Sequence, residues 1–159
     1  MIIILNDIRS VQNVGSIFRT ADAIGIEKIY LCGITPTPVN VFGQPLQRFV
    51  KVSLGAEKTV KWEYVKSAGE LIKKIKKEKF TILAVEQNKK SIPYFKLRIK
   101  DKNLKNIALI LGNEVNGLPK QILGKCDKII EIPMNGKKES LNVAVSFGIV
   151  AFHLVYSNL

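Results

Sequence analysis

Short apolar runs alternate with polar, glycine-containing segments along the whole chain, and two of these runs lie in its last third. Residues 106–111 and 128–134 are rich in Ile and Leu, and each run ends in a polar loop, at 112–117 and 135–139. A short β-branched run bounded by turn residues is typical of a buried strand. Loops after parallel strands meet at the carboxyl edge of the sheet, where open α/β sheets bind ligands. The pattern therefore predicts a ligand site built largely from backbone.

A long apolar segment, 140–156, follows the second loop. Ser140 stands at its head and is a residue type that caps helix N-termini. Apolar residues occupy most faces of the segment, which predicts a buried helix. The segment also contains Asn142, Ser146 and His153, and it falls short of the length of a membrane span.

The opening of the chain has the pattern of a βαβ unit. We expect a strand over 2–5, a loop over 11–15, a helix over 15–24 and a second strand over 28–32. Gly25 has the place of the glycine that often ends a helix. The remaining predicted elements are an irregular loop at 33–47, an ambiguous stretch at 49–58 with a short helix around 53–56, a short strand at 62–65, an amphipathic helix at 67–79, a strand at 80–85, a mostly irregular segment at 91–105 and a short helix at 119–123.

Strand–helix alternation and the length of 159 residues indicate one α/β domain over 1–159. We expect a mainly parallel sheet of five or six strands with helices on both faces.

The apolar start of the chain is too short for a signal peptide and is soon followed by charged residues. Cys32 and Cys126 lack metal-ligand spacing and are expected to be reduced thiols, which suits the cytoplasm. His153, on the apolar helix, is expected to be a core histidine.

Charge is the strongest feature of the composition, with a net charge of +12 and a pI of about 9.8. An excess of Lys and Arg on this scale favours a polyanionic partner, usually RNA or DNA. The alternative is that the lysines only keep the protein in solution. On that interpretation the lysine-rich face of the 67–79 helix is a solvated surface.

The loops restrict the possible chemistry. Gly112 and Gly117 have the spacing of half a phosphate-binding loop, but Leu118 and Pro119 stand where Lys and Ser/Thr would be needed, so a P-loop NTPase is excluded. No Gly-x-Gly-x-x-Gly follows a predicted strand, and the sequence offers neither a Cys/His zinc set nor a Ser–His–Asp candidate. What remains is a cofactor held by backbone groups beside a few polar side chains, namely Asn13, Arg19, Glu114, Ser140 and Asn142.

Three segments in chain order carry a family resemblance. Residues 13–23 resemble the first motif of the SpoU/TrmH-type RNA ribose 2′-O-methyltransferases of the SPOUT superfamily. Residues 111–118 resemble the second motif of this family, and 132–134 together with 140–145 resemble the third. Residues 51–56 are also similar to the family's sequence. The resemblance covers nearly the whole chain, whereas Gly112 and Gly117 alone would be a weak signal.

The resemblance implies S-adenosyl-L-methionine as methyl donor, a C-terminal trefoil knot and an obligate homodimer. No metal is expected, because the sequence offers no Cys/His zinc set. It implies that Arg19 is the catalytic arginine, that Asn13 positions this arginine or the ribose, and that Glu114, Ser140 and Asn142 shape the site. The residues carried over as cofactor-binding are Leu83, Ala84, Val85, Gly112, Asn113, Glu114, Gly117, Ile132, Pro133, Met134, Ser140, Leu141, Asn142 and Ala144.

The implied reaction requires removal of the proton from a ribose 2′-hydroxyl. A guanidinium is a poor base because its pKa is above about 12. The expected role of Arg19 is therefore to bind the adjacent phosphate and stabilise the developing alkoxide. A stronger hypothesis makes Arg19 the base with assistance from an RNA phosphate, and Glu114 is the competing base.

The resemblance implies structured RNA as the substrate, with tRNA favoured and rRNA second. No separate RNA-binding domain is expected, so RNA contact is expected from Arg9, Arg19, Arg48, Lys51 and the loop at 33–50. Two alternatives stay open. One is an RNA-binding or assembly protein that retains the fold without turnover, and the other is a related enzyme that methylates a base.

Overall fold

The computed structural model of the chain describes residues 1–98 and 104–157. Within this part, seven strands form one sheet in the order β3-β2-β1-β6-β4-β7-β5, and all neighbouring strands are parallel. The strands are β1 (Ile2–Asn6), β2 (Lys28–Cys32), β3 (Lys61–Val65), β4 (Thr81–Val85), β5 (Ile92–Pro93), β6 (Ile107–Leu111) and β7 (Lys128–Glu131). The predicted α/β class is confirmed. The sheet is larger than the predicted five or six strands because the two-residue β5 adds an edge strand.

Helices cover both faces of the sheet, as predicted. They are α1 (Val11–Ala23), α2 (Gln47–Ser53), α3 (Ala56–Thr59), α4 (Ala68–Lys77), α5 (Lys120–Leu123) and α6 (Val143–Tyr156). One apolar core contains Phe18, Phe49 and Phe147, which come from α1, α2 and α6. The other core lies beneath α4, whose apolar face is buried at Leu71 and Ile72.

The two central strands are buried at every residue, and this explains their sequences. β1 reads IIILN and β6 reads IALIL, without the alternation of a half-exposed strand. Continuous apolar runs are expected where both faces of a parallel sheet are covered by helices. β1 and β6 pair in parallel, with Leu5 opposite Leu111, so their carboxyl ends lie side by side.

Helix α1 begins at Val11, four residues before the predicted start at Gly15, so the predicted loop over 11–15 is wrong. The reason is a cap: the Ser10 hydroxyl accepts a hydrogen bond from the Asn13 N–H at 3.2 Å. Asn13 consequently lies in the first turn of a helix. Gly25 follows the helix at φ +70°, as predicted.

The predicted short helix around 53–56 is wrong, since α2 ends at Ser53 and α3 starts at Ala56. Leu54 and Gly55 between them are left-handed, with φ of 52° and 94°. The helix forms earlier in the chain because Phe49 is buried edge-on against Phe18, with ring centroids 5.1 Å apart.

Helix α6 differs from its prediction in its start and in its burial. Asn142, and not Ser140, is the N-cap, because its Oδ1 accepts hydrogen bonds from the N–H groups of Ala144 (2.8 Å) and Val145 (3.4 Å). The helix is also exposed on one side, where Val145 and Tyr156 are 50% and 56% exposed. The prediction of a buried helix is therefore wrong for this side of α6 in the single chain, whereas Phe147, Val150, Ala151 and Leu154 on the other side are buried.

Strand β7 ends at Glu131, before the end of the predicted run at 134. Pro133 has no N–H for the sheet, so the chain leaves the sheet before it. α5 follows Pro119, which is its N-cap, close to the predicted short helix. Residues 99–103 of the predicted irregular segment lie outside the described residues.

Candidate functional site

A cavity of about 530 Å³ opens at the carboxyl edge of the sheet, beside the ends of β4, β6 and β7 and the start of α6. This is the edge at which the sequence predicts a ligand site. Its lining residues are Asn13, Val85, Glu86, Gln87, Leu111, Gly112, Asn113, Glu114, Val115, Gly117, Glu131, Ile132, Met134, Ser140, Leu141, Asn142, Val143 and Ser146.

The loop after β6 is held closed by its own polar groups. The Asn113 Oδ1 accepts hydrogen bonds from the N–H groups of Val115 (2.9 Å) and Asn116 (3.1 Å). The Asn113 amide donates to the backbone carbonyl of Asp7 at 2.8 Å, which ties the loop to the end of β1. The Gly117 N–H donates to the Asn113 carbonyl at 2.9 Å.

Gly112 is required by close packing within this loop. A Cβ at this position would lie 2.5 Å from the Gly117 carbonyl carbon and 2.6 Å from the Leu118 nitrogen. These are backbone atoms that cannot move aside without opening the loop. Only glycine therefore allows the two ends of the loop to meet at the cavity wall.

Glu114 joins this loop to the start of α1. Its Oε2 accepts from the Arg9 N–H at 2.9 Å, and its Oε1 accepts from the Ser10 N–H at 3.1 Å and from the Asn13 side-chain amide at 2.9 Å. Burial acts to raise the pKa of Glu114, but these hydrogen bonds to the ionised carboxylate outweigh it, so the pKa is lowered. A carboxylate with a lowered pKa and occupied oxygens is a poor proton acceptor.

Asn13 extends the connection to α6. Its Oδ1 accepts a hydrogen bond from the Asn142 side-chain amide at 2.9 Å, while its own amide donates to Glu114. Asn142 also caps α6 through its Oδ1. Three of the polar residues singled out in the sequence thus form one chain of hydrogen bonds across more than a hundred residues of sequence.

Glu86 and Gln87, which follow β4, line the cavity but were not among the predicted site residues. The Glu86 Oε2 accepts from the Leu118 N–H at 2.7 Å, and the Gln87 amide donates to the Glu139 carbonyl at 2.6 Å. They connect the β4 end to both later loops. The signal in the sequence is a polar pair directly after an apolar strand, at the same sheet edge. Leu111, Val115, Glu131, Val143 and Ser146 also line the cavity without having been predicted.

Most of the residues predicted to bind a cofactor line the cavity, but four do not. Leu83 and Ala84 are buried inside the two apolar cores. Pro133 and Ala144 are half-buried beside the cavity, and the Ala144 N–H is occupied by the cap of α6. The predicted residues that line it are Val85, Gly112, Asn113, Glu114, Gly117, Ile132, Met134, Ser140, Leu141 and Asn142.

The predicted RNA-contacting side chains lie outside the cavity. Arg19 is exposed on α1, six residues after Asn13 and therefore about 9 Å farther along the helix axis. Arg9 is exposed before α1, and Arg48 and Lys51 are exposed on α2. Across residues 1–98 and 104–157, none of these four side chains forms an ion pair. Their charges are available to an external anion.

The other candidate groups offer little reactivity. Burial raises the pKa of the Cys32 thiol to about 12 and that of Cys126 to about 11, so neither is a nucleophile at neutral pH. His153 pairs with the Ser157 hydroxyl at 3.0 Å. In the described part of the chain, no cluster of His, Cys, Asp and Glu could hold a metal ion. No helix there has both the length and the apolar character needed to cross a membrane.

Comparisons with known proteins agree with this geometry. A family model described as the SpoU rRNA Methylase family matches residues 1–152. An uncharacterised tRNA/rRNA methyltransferase from Borreliella burgdorferi is 35% identical over 153 residues, which are 96% of this chain and 62% of the relative. A tRNA (guanosine(18)-2′-O)-methyltransferase from the same organism is 28% identical, over 96% of this chain and 64% of that protein. The chain thus spans less than two thirds of the length of these relatives.

A solved structure gives the same result for the fold. The crystal structure of an AdoMet-bound rRNA methyltransferase from Sinorhizobium meliloti matches with a TM-score of 0.84 at 26% identity. The match covers 99% of this chain and 56% of that one.

Proposed function

The chain belongs to the SpoU rRNA methylase family, and from this membership we propose that it methylates the ribose 2′-hydroxyl of a structured RNA. S-adenosyl-L-methionine would be the methyl donor, with tRNA as the favoured substrate and rRNA as the second. The tRNA (guanosine(18)-2′-O)-methyltransferase from Borreliella burgdorferi supports tRNA, and a 23S rRNA (guanosine-2′-O-)-methyltransferase from Neisseria meningitidis supports rRNA. The bound AdoMet of the Sinorhizobium protein supports the choice of donor.

The observation that carries the proposal is the construction of the cavity. Its walls come from the segments after β4, β6 and β7, and the chain Asn142–Asn13–Glu114 ties these walls to α1. The segments that resemble the family's three motifs therefore meet at one place. A structural role alone would not require them to surround a space of ligand size.

The cavity fits the proposed donor in size and in lining. Its volume of about 530 Å³ lies within the usual range for small-molecule sites. Val85, Ile132 and Leu141 offer apolar contacts for a flat base. Gly112 lets backbone approach closely, as a cofactor held mainly by amides and carbonyls requires. When bound, the donor supplies an electrophilic methyl group on a sulfonium centre.

Residues of the chain would then position the RNA and stabilise the charge that develops during methyl transfer. Arg19 would bind the phosphate next to the target ribose and stabilise the negative charge that develops as the 2′-hydroxyl gives its proton to solvent. The 2′-oxygen would form the new bond to the methyl group, and the donor would leave as S-adenosylhomocysteine. Asn13 and Asn142 would fix the site's geometry between α1 and α6. Glu114 would hold the 112–117 loop and not act as the base, since its lowered pKa and three hydrogen bonds leave it ill suited to accept a proton.

A methylation assay with nucleoside analysis tests this function. Unmethylated tRNA and rRNA are incubated with the protein and methyl-deuterated donor, and the digested nucleosides are separated by mass spectrometry. We expect label on ribose, with calorimetry showing that the donor binds. Label on a base would favour the base-methylating alternative. RNA binding without donor binding would favour the assembly protein without turnover.

We also propose a homodimer and a trefoil knot in the C-terminal part of the chain. The exposed side chains Val145, Phe152 and Tyr156 on α6 support the dimer, since a second copy could cover this apolar face. Light scattering should then give twice the 17.8 kDa of the chain, and Val145→Asp should reduce that mass.

We further propose a cytoplasmic location. The free thiols of Cys32 and Cys126 and an RNA substrate support it.

A further inference from the structure

The loop after β2 contains a tight hairpin at residues 38–46, hereafter the 38–46 hairpin. Val39 and Pro45 form an antiparallel bridge at its base. The Asn40 N–H donates to the Gln44 carbonyl at 2.9 Å, and the Leu46 N–H donates to the Pro38 carbonyl at 2.8 Å. The loop predicted to be irregular therefore contains a defined turn.

The tip of the hairpin is fixed by its own polar atoms. The Asn40 Oδ1 accepts hydrogen bonds from the N–H groups of Phe42 (2.9 Å) and Gln44 (3.0 Å). Gly43 has a φ of +75°, which the turn needs and glycine adopts without strain. A binding partner would not have to order this backbone, so little conformational entropy is lost on binding.

The apolar side chains of the hairpin point away from the protein. Val41 is 94% exposed and Phe42 is 83% exposed, while the half-buried Asn40 holds the turn with its side chain. Exposed aromatic side chains on ordered loops are characteristic of recognition surfaces. The hairpin thus presents one aromatic ring at a fixed position.

The chain segment that contains Phe42 carries positive charge and no acidic residue. The sequence has no Asp or Glu between Glu27 and Glu57, and the exposed side chains of Arg48 and Lys51 follow the hairpin on α2. The exposed cations Arg48 and Lys51 would repel the same surface of a second copy, whereas a phosphate backbone would be attracted. The charge therefore selects RNA over another copy of the protein.

The hairpin and the cavity lie at the same edge of the sheet. The hairpin follows β2, the cavity loop follows β6, and β1 alone separates these strands, so their carboxyl ends are about 10 Å apart. Thr35, at the root of the hairpin loop, donates to the Leu5 carbonyl and accepts from the Ile8 N–H, both at 3.0 Å. Residues 5–10 therefore contact both regions, since Leu5 and Ile8 bind Thr35 and the N–H groups of Arg9 and Ser10 donate to Glu114.

We propose that Phe42 stacks on an unpaired nucleobase of the RNA bound at the cavity, with Arg48 and Lys51 holding flanking phosphates. The proposal rests on the proposed function for its RNA. Stacking on an aromatic ring accepts any base, because every base has a π-face. It requires single-stranded RNA, since the bases of a duplex are stacked on each other.

Three substitutions of Phe42 and one of its neighbour test the proposal with unfractionated tRNA as the probe. Phe42→Ala and Phe42→Leu should weaken tRNA binding about 5- to 150-fold, the range found for single stacking residues. Phe42→Tyr keeps a flat ring and should stay within about 2-fold of the wild type. Val41→Ala, at the neighbouring exposed site, should also leave binding unchanged. Duplex RNA without unpaired bases should not distinguish any of the variants.

Donor affinity by calorimetry and mass by light scattering are measured for every variant and should not change. Because Phe42 is exposed, the variants should melt together with the wild type. Wild-type binding by Phe42→Leu, or a reduced mass, would indicate an apolar protein contact and overturn the proposal, as would unchanged binding by Phe42→Ala. Phe42-dependent tRNA binding, together with no methyl transfer to either tRNA or rRNA, would uphold stacking and overturn the proposed function alone.

Discussion

At the residue scale, Glu114 illustrates how a charged side chain can hold neighbouring residues in position instead of transferring a proton. Its carboxylate accepts hydrogen bonds from Arg9, Ser10 and Asn13, and Glu114→Gln leaves at least one of these donors without an acceptor. A lost hydrogen bond to a charged group at a partly exposed site costs on the order of 1 kcal/mol. We expect a melting temperature about 2–4 °C lower at pH 7.

The pH dependence of this difference follows from the sign of the pKa shift. The pKa of Glu114 is lowered in the folded protein, so its contribution is complete above the ordinary value of 4.5 and is lost as the pH falls through the folded pKa. The gap between the wild type and Glu114→Gln should therefore close below about pH 4.5 in thermal melts. A gap of constant size down to pH 3 would contradict the role assigned to this carboxylate.

Arg19 differs from Glu114 because its side chain is exposed and free of ion pairs in the described part of the chain. Arg19→Lys keeps one positive charge but loses the planar fork that binds phosphate through two hydrogen bonds. We expect kcat to fall on the order of 10-fold or more, since donors aimed at a developing charge have effects of this size. Donor affinity should not change, because Arg19 does not line the cavity. Nearly full activity would dismiss a special role for the arginine.

At the scale of elements, the loop after β6 depends on the absence of a side chain at Gly112. Gly112→Ala would place a methyl group about 2.5 Å from backbone atoms of the same loop. Overpacking of this kind costs about 1–3 kcal/mol, and the displaced loop should also bind the donor more weakly. Gly136→Ala is the matched control, since a Cβ there meets nothing within 4 Å. Equal effects of the two substitutions in calorimetry and thermal melts would contradict the proposed packing.

Asn142 has two functions that can be separated, because its Oδ1 caps α6 and its amide donates to Asn13. Asn142→Asp keeps a good capping group and removes the donor, whereas Asn142→Ala removes both. We expect Asn142→Ala to lose about 1 kcal/mol of stability and Asn142→Asp to lose little. Both should reduce kcat for RNA methylation. A fully active Asn142→Asp would show that the contact with Asn13 is dispensable.

Elements set by local pattern were predictable, and elements set by tertiary contacts were not. β2 matches its predicted bounds, since an apolar run with polar ends determines a buried strand without further information. The start of α1 was missed because the Ser10 cap adds a turn of helix before the apolar periodicity begins. α2 was misplaced because it depends on the packing of Phe49 against Phe18, a residue distant in sequence.

At the scale of the whole molecule, strand order explains which part of the site could be foreseen. Polar loops that follow parallel strands always meet at one edge of the sheet. The sequence alone was therefore sufficient to predict that the 112–117 loop and Asn142 belong to the site. The contact of Glu86 with Leu118 was not, because it requires β4 to lie between β6 and β7. The exposed side of α6 could not be predicted either, since an apolar sequence alone does not distinguish residues buried in a core from residues exposed on the surface.

The net charge of +12 makes a prediction for the molecule as a whole. RNA affinity should fall steeply with salt, because each phosphate contact releases counterions. Arg48→Ala combined with Lys51→Ala should reduce the slope of log affinity against log salt by about 2. The control, Lys74→Ala combined with Lys77→Ala on the exposed side of α4, removes the same charge away from the hairpin and should change the slope little. Equal changes of the slope in the two double variants would mean that RNA binding depends only on the overall charge of the protein.

The central claim is that the cavity between the 112–117 loop and the start of α6 holds the methyl donor. A crystal grown with S-adenosylhomocysteine, the demethylated product, tests it most directly. Electron density for the product should lie against Gly112, Ile132 and Leu141, with backbone groups as its main polar contacts. Crystals that leave this cavity empty at saturating product, or hold the product elsewhere on the molecule, would contradict the account.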